Sequence, residues 1–100
     1  MDPLVWFQRL ALDVRIAVEL TGRPVELYVV RLELRVAGAW RTIHLFDNAH
    51  GAHDEHSFRG ALKLPALEFF VGSNSEAIPR AISLLKERWP IIMEQWRTTA

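Results

Sequence analysis

The sequence predicts an α+β fold: an antiparallel meander of three or four strands, with one C-terminal helix packed on one face and kinked near Pro90. Three observations carry this. Apolar and polar residues alternate almost strictly through the first half of the chain. Gly- and Pro-bearing turns break that alternation at short intervals. Near the end, Ile78, Ile82, Leu85, Trp89, Ile92 and Trp96 recur at spacings of four, three, four, three and four, which is a helical stripe.

The elements follow in order. Leu4 to Phe7 is an apolar patch, read as a terminal arm docking on the core or, through Trp6-Phe7, as a partner-binding hook. From Arg9 to Leu20, Leu10, Leu12, Val14, Ile16, Val18 and Leu20 share one parity, as in a long strand with one wet side. Thr21-Gly22-Arg23-Pro24 turns the chain. A second strand runs from Val25 to Val36, and its apolar parity changes at Val29-Val30, which suggests a β-bulge. After Ala37-Gly38, a third strand from Trp40 to Phe46 is expected to place Ile43 and Leu45 inward, with Thr42 and His44 outward. Phe46 to Phe58 is expected as a loop. Leu67 to Val71 follows as a short fourth strand, with Pro65 marking an edge. Ser75 or Asn74 is the expected N-cap of the helix, with Glu76 in its first turn. Pro90 lacks an N–H for the Lys86 carbonyl, so a kink or two helical pieces are expected there.

Size and charge narrow the function classes. One hundred residues, half of them hydrophobic, make a single domain spanning 1–100. Net charge is zero, with six basic and six acidic residues in each half, so the basic excess of a duplex-DNA binder is absent. There is no cysteine, so any metal would have to use imidazole and carboxylate. No apolar run approaches the ~20 residues of a membrane helix, and the N-terminus lacks a basic signal-peptide region. A cytoplasmic protein with no membrane contact and no cofactor is the expectation.

The chemistry concentrates in one stretch. His44, His50, His53 and His56, with Asp47, Asp54 and Glu55, fall within 13 residues. Three readings stay open. In the first, His50-x-x-His53-x-x-His56 with Asp47 and Asp54 holds a metal ion. In the second, His50, His53, His56 and Asp47 carry out acid–base cleavage of RNA without a metal. Arg59, Lys63 and Arg41 would then hold the phosphate, and Phe46, Phe58 or Trp40 would stack a base. In the third, Asp47, Asn48 and Gly51 simply form a turn, and His44 is an outward strand residue.

Phe46-Asp47-Asn48-Ala49-His50-Gly51, followed by His53 and His56, resembles the TumE-type toxin family of small toxin–antitoxin modules. It is also similar to a related group of small prokaryotic proteins with a Tyr-Asp-Thr-Ala-His-Gly stretch and a Trp-containing final helix, here Glu87-Arg88-Trp89. The resemblance covers Tyr28 to Trp96 in order of elements, and only the turn matches in detail. Two departures stand out: His53-Asp54-Glu55-His56 replaces a His-x-His pair, and Phe46 replaces a tyrosine, so its phenol is missing. The resemblance implies an antitoxin-like protein partner and an RNA or translation target. Against it stands a non-catalytic interaction module, in which the sheet or the Trp6-Phe7 arm binds a protein. The apolar surfaces at Trp6-Phe7 and Leu67–Val71 also allow a homodimer.

Overall fold

A computed structural model of the chain describes residues 2–98; Met1, Thr99 and Ala100, which the single-domain reading includes, lie outside the described residues. The elements are β1 (Leu4–Ala11), β2 (Val14–Thr21), β3 (Leu27–Val36), β4 (Ala39–Asp47), β5 (His53–Arg59), β6 (Leu62–Lys63), β7 (Leu67–Phe70) and α1 (Asn74–Arg97). Every strand pair is antiparallel, and β1 to β6 pair in sequence order, with β7 also on β5. β6 and β7 share one edge of β5, interrupted around Pro65, which can donate nothing to a ladder. The α+β meander with a C-terminal helix is present, with seven strands in place of three or four.

The added strands sit where periodicity hides a reversal. The expected strand Arg9–Leu20 is two strands joined at Leu12-Asp13, with Ala11 opposite Val14. Leu12 keeps the apolar alternation going while its side chain is 73% exposed, so the pattern runs straight through the turn. Asp13 fixes the corner: its carboxylate accepts from Arg35 Nε at 3.0 Å, and its carbonyl accepts from the Arg35 N–H. Leu4–Phe7, expected as a docking arm, forms the first half of the edge strand β1.

The bulge also moves. The β2–β3 register is unbroken from Val14↔Leu34 to Thr21↔Leu27, so Val29-Val30 carries no bulge. The inward set of β3 is Tyr28, Val30, Leu32 and Leu34, and the apparent parity change comes from Leu27 and Val29, apolar residues on the other face. The irregularity lies on the β3–β4 ladder, where Leu32 faces His44 and Glu33 faces Thr42, leaving Ile43 as the extra residue. Both Ile43 and His44 are buried as a result, and His44 points inward rather than outward.

α1 packs on β3, β4 and β5. Its most buried residues are Ala77, Ala81, Leu84, Leu85 and Ile92, with Ile78, Ile82, Trp89 and Trp96 flanking them. The two small alanines let the helix backbone approach the sheet closely. The N-cap is Ser73, in a capping box with Glu76, rather than Asn74 or Ser75. One helix runs through both prolines instead of dividing at Pro90. Pro90 and Lys86 are both exposed, so the carbonyl that loses its partner faces water. α1 packs on β3 to β5, so Leu4 and Trp6 on its side of β1 stay exposed, while Val5 and Phe7 take the opposite face of the sheet.

Candidate functional site

The histidine-rich stretch is mostly strand. Only residues 48–52 leave the ladder, in a turn closed by the Gly51 N–H on the Asn48 carbonyl at 3.1 Å. Gly51 has φ +86°, a left-handed conformation that glycine adopts without strain. Beyond it, His53 to Arg59 pairs back on β4 with Leu45↔His56, Phe46↔Glu55 and Asp47↔Asp54. Strand alternation then sends His53 and Glu55 to the helix side of the sheet, and Asp54 and His56 to the other side.

On the helix side there are two polar pairs. His44 Nε2 donates to Glu55 Oε2 at 2.7 Å, with the imidazole edge-on to Phe46. That bond, helped by the charge of Arg88 and opposed by burial, holds the Glu55 carboxyl below its usual range. His53 is held at both ring nitrogens. Its Nε2 donates to the Gly72 carbonyl at 2.7 Å, since a carbonyl can only accept. Its Nδ1 then accepts from the Tyr28 hydroxyl at 2.8 Å in the neutral ring. Burial, and secondarily the charges of Asp47 and Asp54, push the Tyr28 phenol up to about 12, so it keeps the proton it donates. Gly72 has φ +152°, and a Cβ there would sit 2.7 Å from the Phe70 ring, so the carbonyl that receives His53 depends on a glycine.

On the open side, His56 Nε2 donates to Asp47 Oδ1 at 3.1 Å, with the His56 ring 4% exposed. One ligand atom each from Asp47, Asp54 and His56 lies within 4.8 Å of the others, the one such metal-ligating group among the described residues. The register also places Glu19, Val29, Asp47, Asp54 and Glu68 in one row across five strands. That row is acidic and carries no basic residue.

Two asparagines lock the base of the hairpin. Asn48 Oδ1 accepts from the Tyr28 N–H at 3.0 Å, and its Nδ2 donates to the Glu26 carbonyl at 2.9 Å and to Asn74 Oδ1 at 3.1 Å. Asn74 Nδ2 donates on to the Val25 carbonyl at 2.8 Å. The start of β3, the end of β4 and the start of α1 are thereby tied at one point.

The predicted site residues do not all meet. His50 is exposed in the turn, His53 lies on the helix side, and His56 with Asp47 lies on the open side. Residues three apart on a strand face opposite ways, so His53 and His56 cannot close on one ion, and His50 stands outside the strand in the turn. Arg59 ends β5, Lys63 is in β6 and Arg41 is near the start of β4, all at the far end of the hairpin from the turn. At about 3.3 Å per residue, Arg59 is roughly 20 Å from His53 along the strand. Arg41 instead lies over the Trp96 ring at 5.3 Å. Of the proposed stacking rings, Phe46 is buried, and Trp40 is occupied by Arg15 at 4.1 Å. Sequence reasoning passed over Tyr28, Glu55 as the His44 partner, and the Asn48–Asn74 clamp. Tyr28 is the chain's single tyrosine, and its hydroxyl meets His53.

Fold and site together define an α+β protein whose β4–β5 hairpin sends wired ionisable pairs to both faces of a meander. The chain belongs to the family described as Domain of unknown function (DUF7718), matched over residues 1–99. No curated protein and no solved structure matches it. Among the described residues, no helix is long and apolar enough to cross a membrane.

Proposed function

We propose that the chain acts by binding a protein partner along its β1 edge, as the toxin half of a toxin–antitoxin module binds its antitoxin. The observation that supports this is the state of β1. An edge strand presents a row of unpaired N–H and C=O groups, and natural edges are usually guarded by charges, prolines or bulges. Here Leu4, Val5, Trp6 and Phe7 carry none of these guards and are 61%, 44%, 37% and 53% exposed. The one irregularity of β1 comes later, between Arg9 and Ala11. A partner strand added at this edge gains main-chain hydrogen bonds, while Trp6 and Phe7 anchor its side chains. An open groove of about 560 Å³, lined by Asp2, Pro3, Leu4, Leu20 and Arg23 among others, extends the surface at the start of β1. The turn Phe46–Gly51 supplies the class of module, by resemblance.

Expression in a bacterial host is the test. It is expected to arrest growth, and co-expression of an antitoxin encoded beside the gene is expected to relieve the arrest. The Val5→Lys/Phe7→Lys chain, with its fold checked by circular dichroism, is expected to keep the arrest and lose the relief. Relief that survives the double substitution, or growth that never slows, overturns the reading. A homodimer would use the same edge, and the solution mass of the free chain separates it from a heteromeric partner.

RNA cleavage is a second reading, favoured by His50 at the exposed tip of the hairpin beside the half-buried His53. These two are the least buried of the four imidazoles, His53 being tied to Tyr28 and Gly72 while the His56–Asp47 pair lies on the opposite face. The test is cleavage of a mixed RNA pool with and without EDTA, alongside folded His50→Ala and His53→Ala chains. Cleavage that resists EDTA and is lost in either variant supports it. Absence of cleavage, or equal cleavage by both variants, removes it.

A further inference from the structure

We infer that Asp47, Asp54 and His56 form a binding site for a divalent transition-metal ion on the open face of the sheet, a function beyond partner binding at β1. The three side chains come from facing positions: Asp47 is directly opposite Asp54 on the β4–β5 ladder, and His56 is two residues further along β5 on the same face. Their ligand atoms already lie within 4.8 Å of one another, so no strand has to move for one ion to reach all three.

Two independent features say that something belongs there. First, like charges directly opposite on a ladder repel. The Asp54 carboxylate has no hydrogen bond or ion pair among the described residues, and the nearby Arg31 is paired at 3.9 Å with Glu19 at the other end of the acidic row. A divalent ion between the carboxylates turns that repulsion into attraction. Second, His56 is 4% exposed, and its Nδ1 is buried with no hydrogen-bond partner. Moving the ring's neutral-state proton from Nε2 to Nδ1 breaks no contact at Nδ1 and gives up only the 3.1 Å bond to Asp47, which frees Nε2 as a ligand beside that carboxylate.

The donor set selects the ion. One imidazole with two carboxylates suits zinc, manganese, cobalt or nickel better than calcium or magnesium, which favour all-oxygen shells. Three protein ligands also leave at least one coordination position open, as catalytic rather than closed structural sites do. His50 and His53 of the sequence-level metal set take no part, since one lies in the turn and the other on the opposite face.

The test uses the full chain without an affinity tag, stripped with a chelator and dialysed. Thermal unfolding and calorimetric titration are read with zinc, manganese and magnesium salts. Zinc or manganese is expected to bind one per chain and raise the melting temperature, with magnesium at least tenfold weaker. Asp54→Asn is the decisive variant because Asp54 has no partner to lose: it is expected to melt higher than wild type when metal-free, and to lose at least tenfold in metal affinity. His50→Ala is expected to bind as wild type does. No binding of zinc or manganese, binding undiminished in Asp54→Asn, or binding that disappears in His50→Ala each overturns the assignment. None of these readouts depends on growth or on a partner, so this test and that of the β1 edge fail separately.

Discussion

At the residue scale, the hairpin is governed by who donates to whom. Tyr28 gives its proton to His53 Nδ1 and keeps it, because burial and the nearby carboxylates resist a phenolate. As the chain's single tyrosine, it can be titrated without interference by following tyrosinate ultraviolet absorbance. Its midpoint is expected near 12 in the folded chain and near the ordinary 10.0 in urea. A raised folded value means stability is full below the unfolded value and falls as pH climbs between the two. Glu55 works at the other end of the scale. His44 holds its carboxyl below the ordinary 4.5, so its contribution is full above that value and is lost as pH falls through the folded value. Glu55→Gln is accordingly expected to flatten the acid limb of a urea-midpoint-against-pH curve; an unchanged limb would refute the pairing. Asn48→Ala leaves the Tyr28 N–H and the Glu26 carbonyl without their partner, and is expected to cost about 1–3 kcal/mol in urea unfolding. Of these residues, the sequence showed the crowding of histidines and acids but not the pairing. Pairing depends on which strand face each residue takes, and Ile43 changes that face for His44.

At the scale of elements, legibility followed periodicity. The helix announced itself through its stripe and caps, and it runs through Pro90 because the lost bond is on the wet side. The meander was readable as alternation, yet alternation records parity alone. It passed through Leu12-Asp13 without a break and concealed a hairpin, and apolar Leu27 and Val29 on the outer face gave a false bulge at Val29-Val30. The true bulge, at Ile43, left no mark because Ile43 is itself apolar. Helix–sheet packing is centred on Leu85, 0% exposed, between Ala81 and Ile92. Leu85→Ala is expected to cost about 2–5 kcal/mol in chemical unfolding, against well under half of that for Ile91→Ala on the exposed side. Equal costs would mean that the helix sits on a different face.

At the scale of the molecule, the sheet is covered unevenly. α1 shelters β3 to β5 on one side, so the apolar β1 edge stands apart from the polar hairpin. Zero net charge conceals a division on the open face, where an acidic row crosses from Glu19 to Glu68 and Arg15 lies between Phe7 and Trp40 further along. An acidic row repels a phosphate backbone, which favours the proposed protein partner at β1 over RNA at the hairpin. Amide hydrogen exchange of the purified chain, alone and with its candidate antitoxin, tests that ranking most directly. Slowed exchange is expected across Leu4–Ala11, with β7 at the other edge unchanged. Slowing confined to the hairpin or to β7, or no slowing at all, would contradict it.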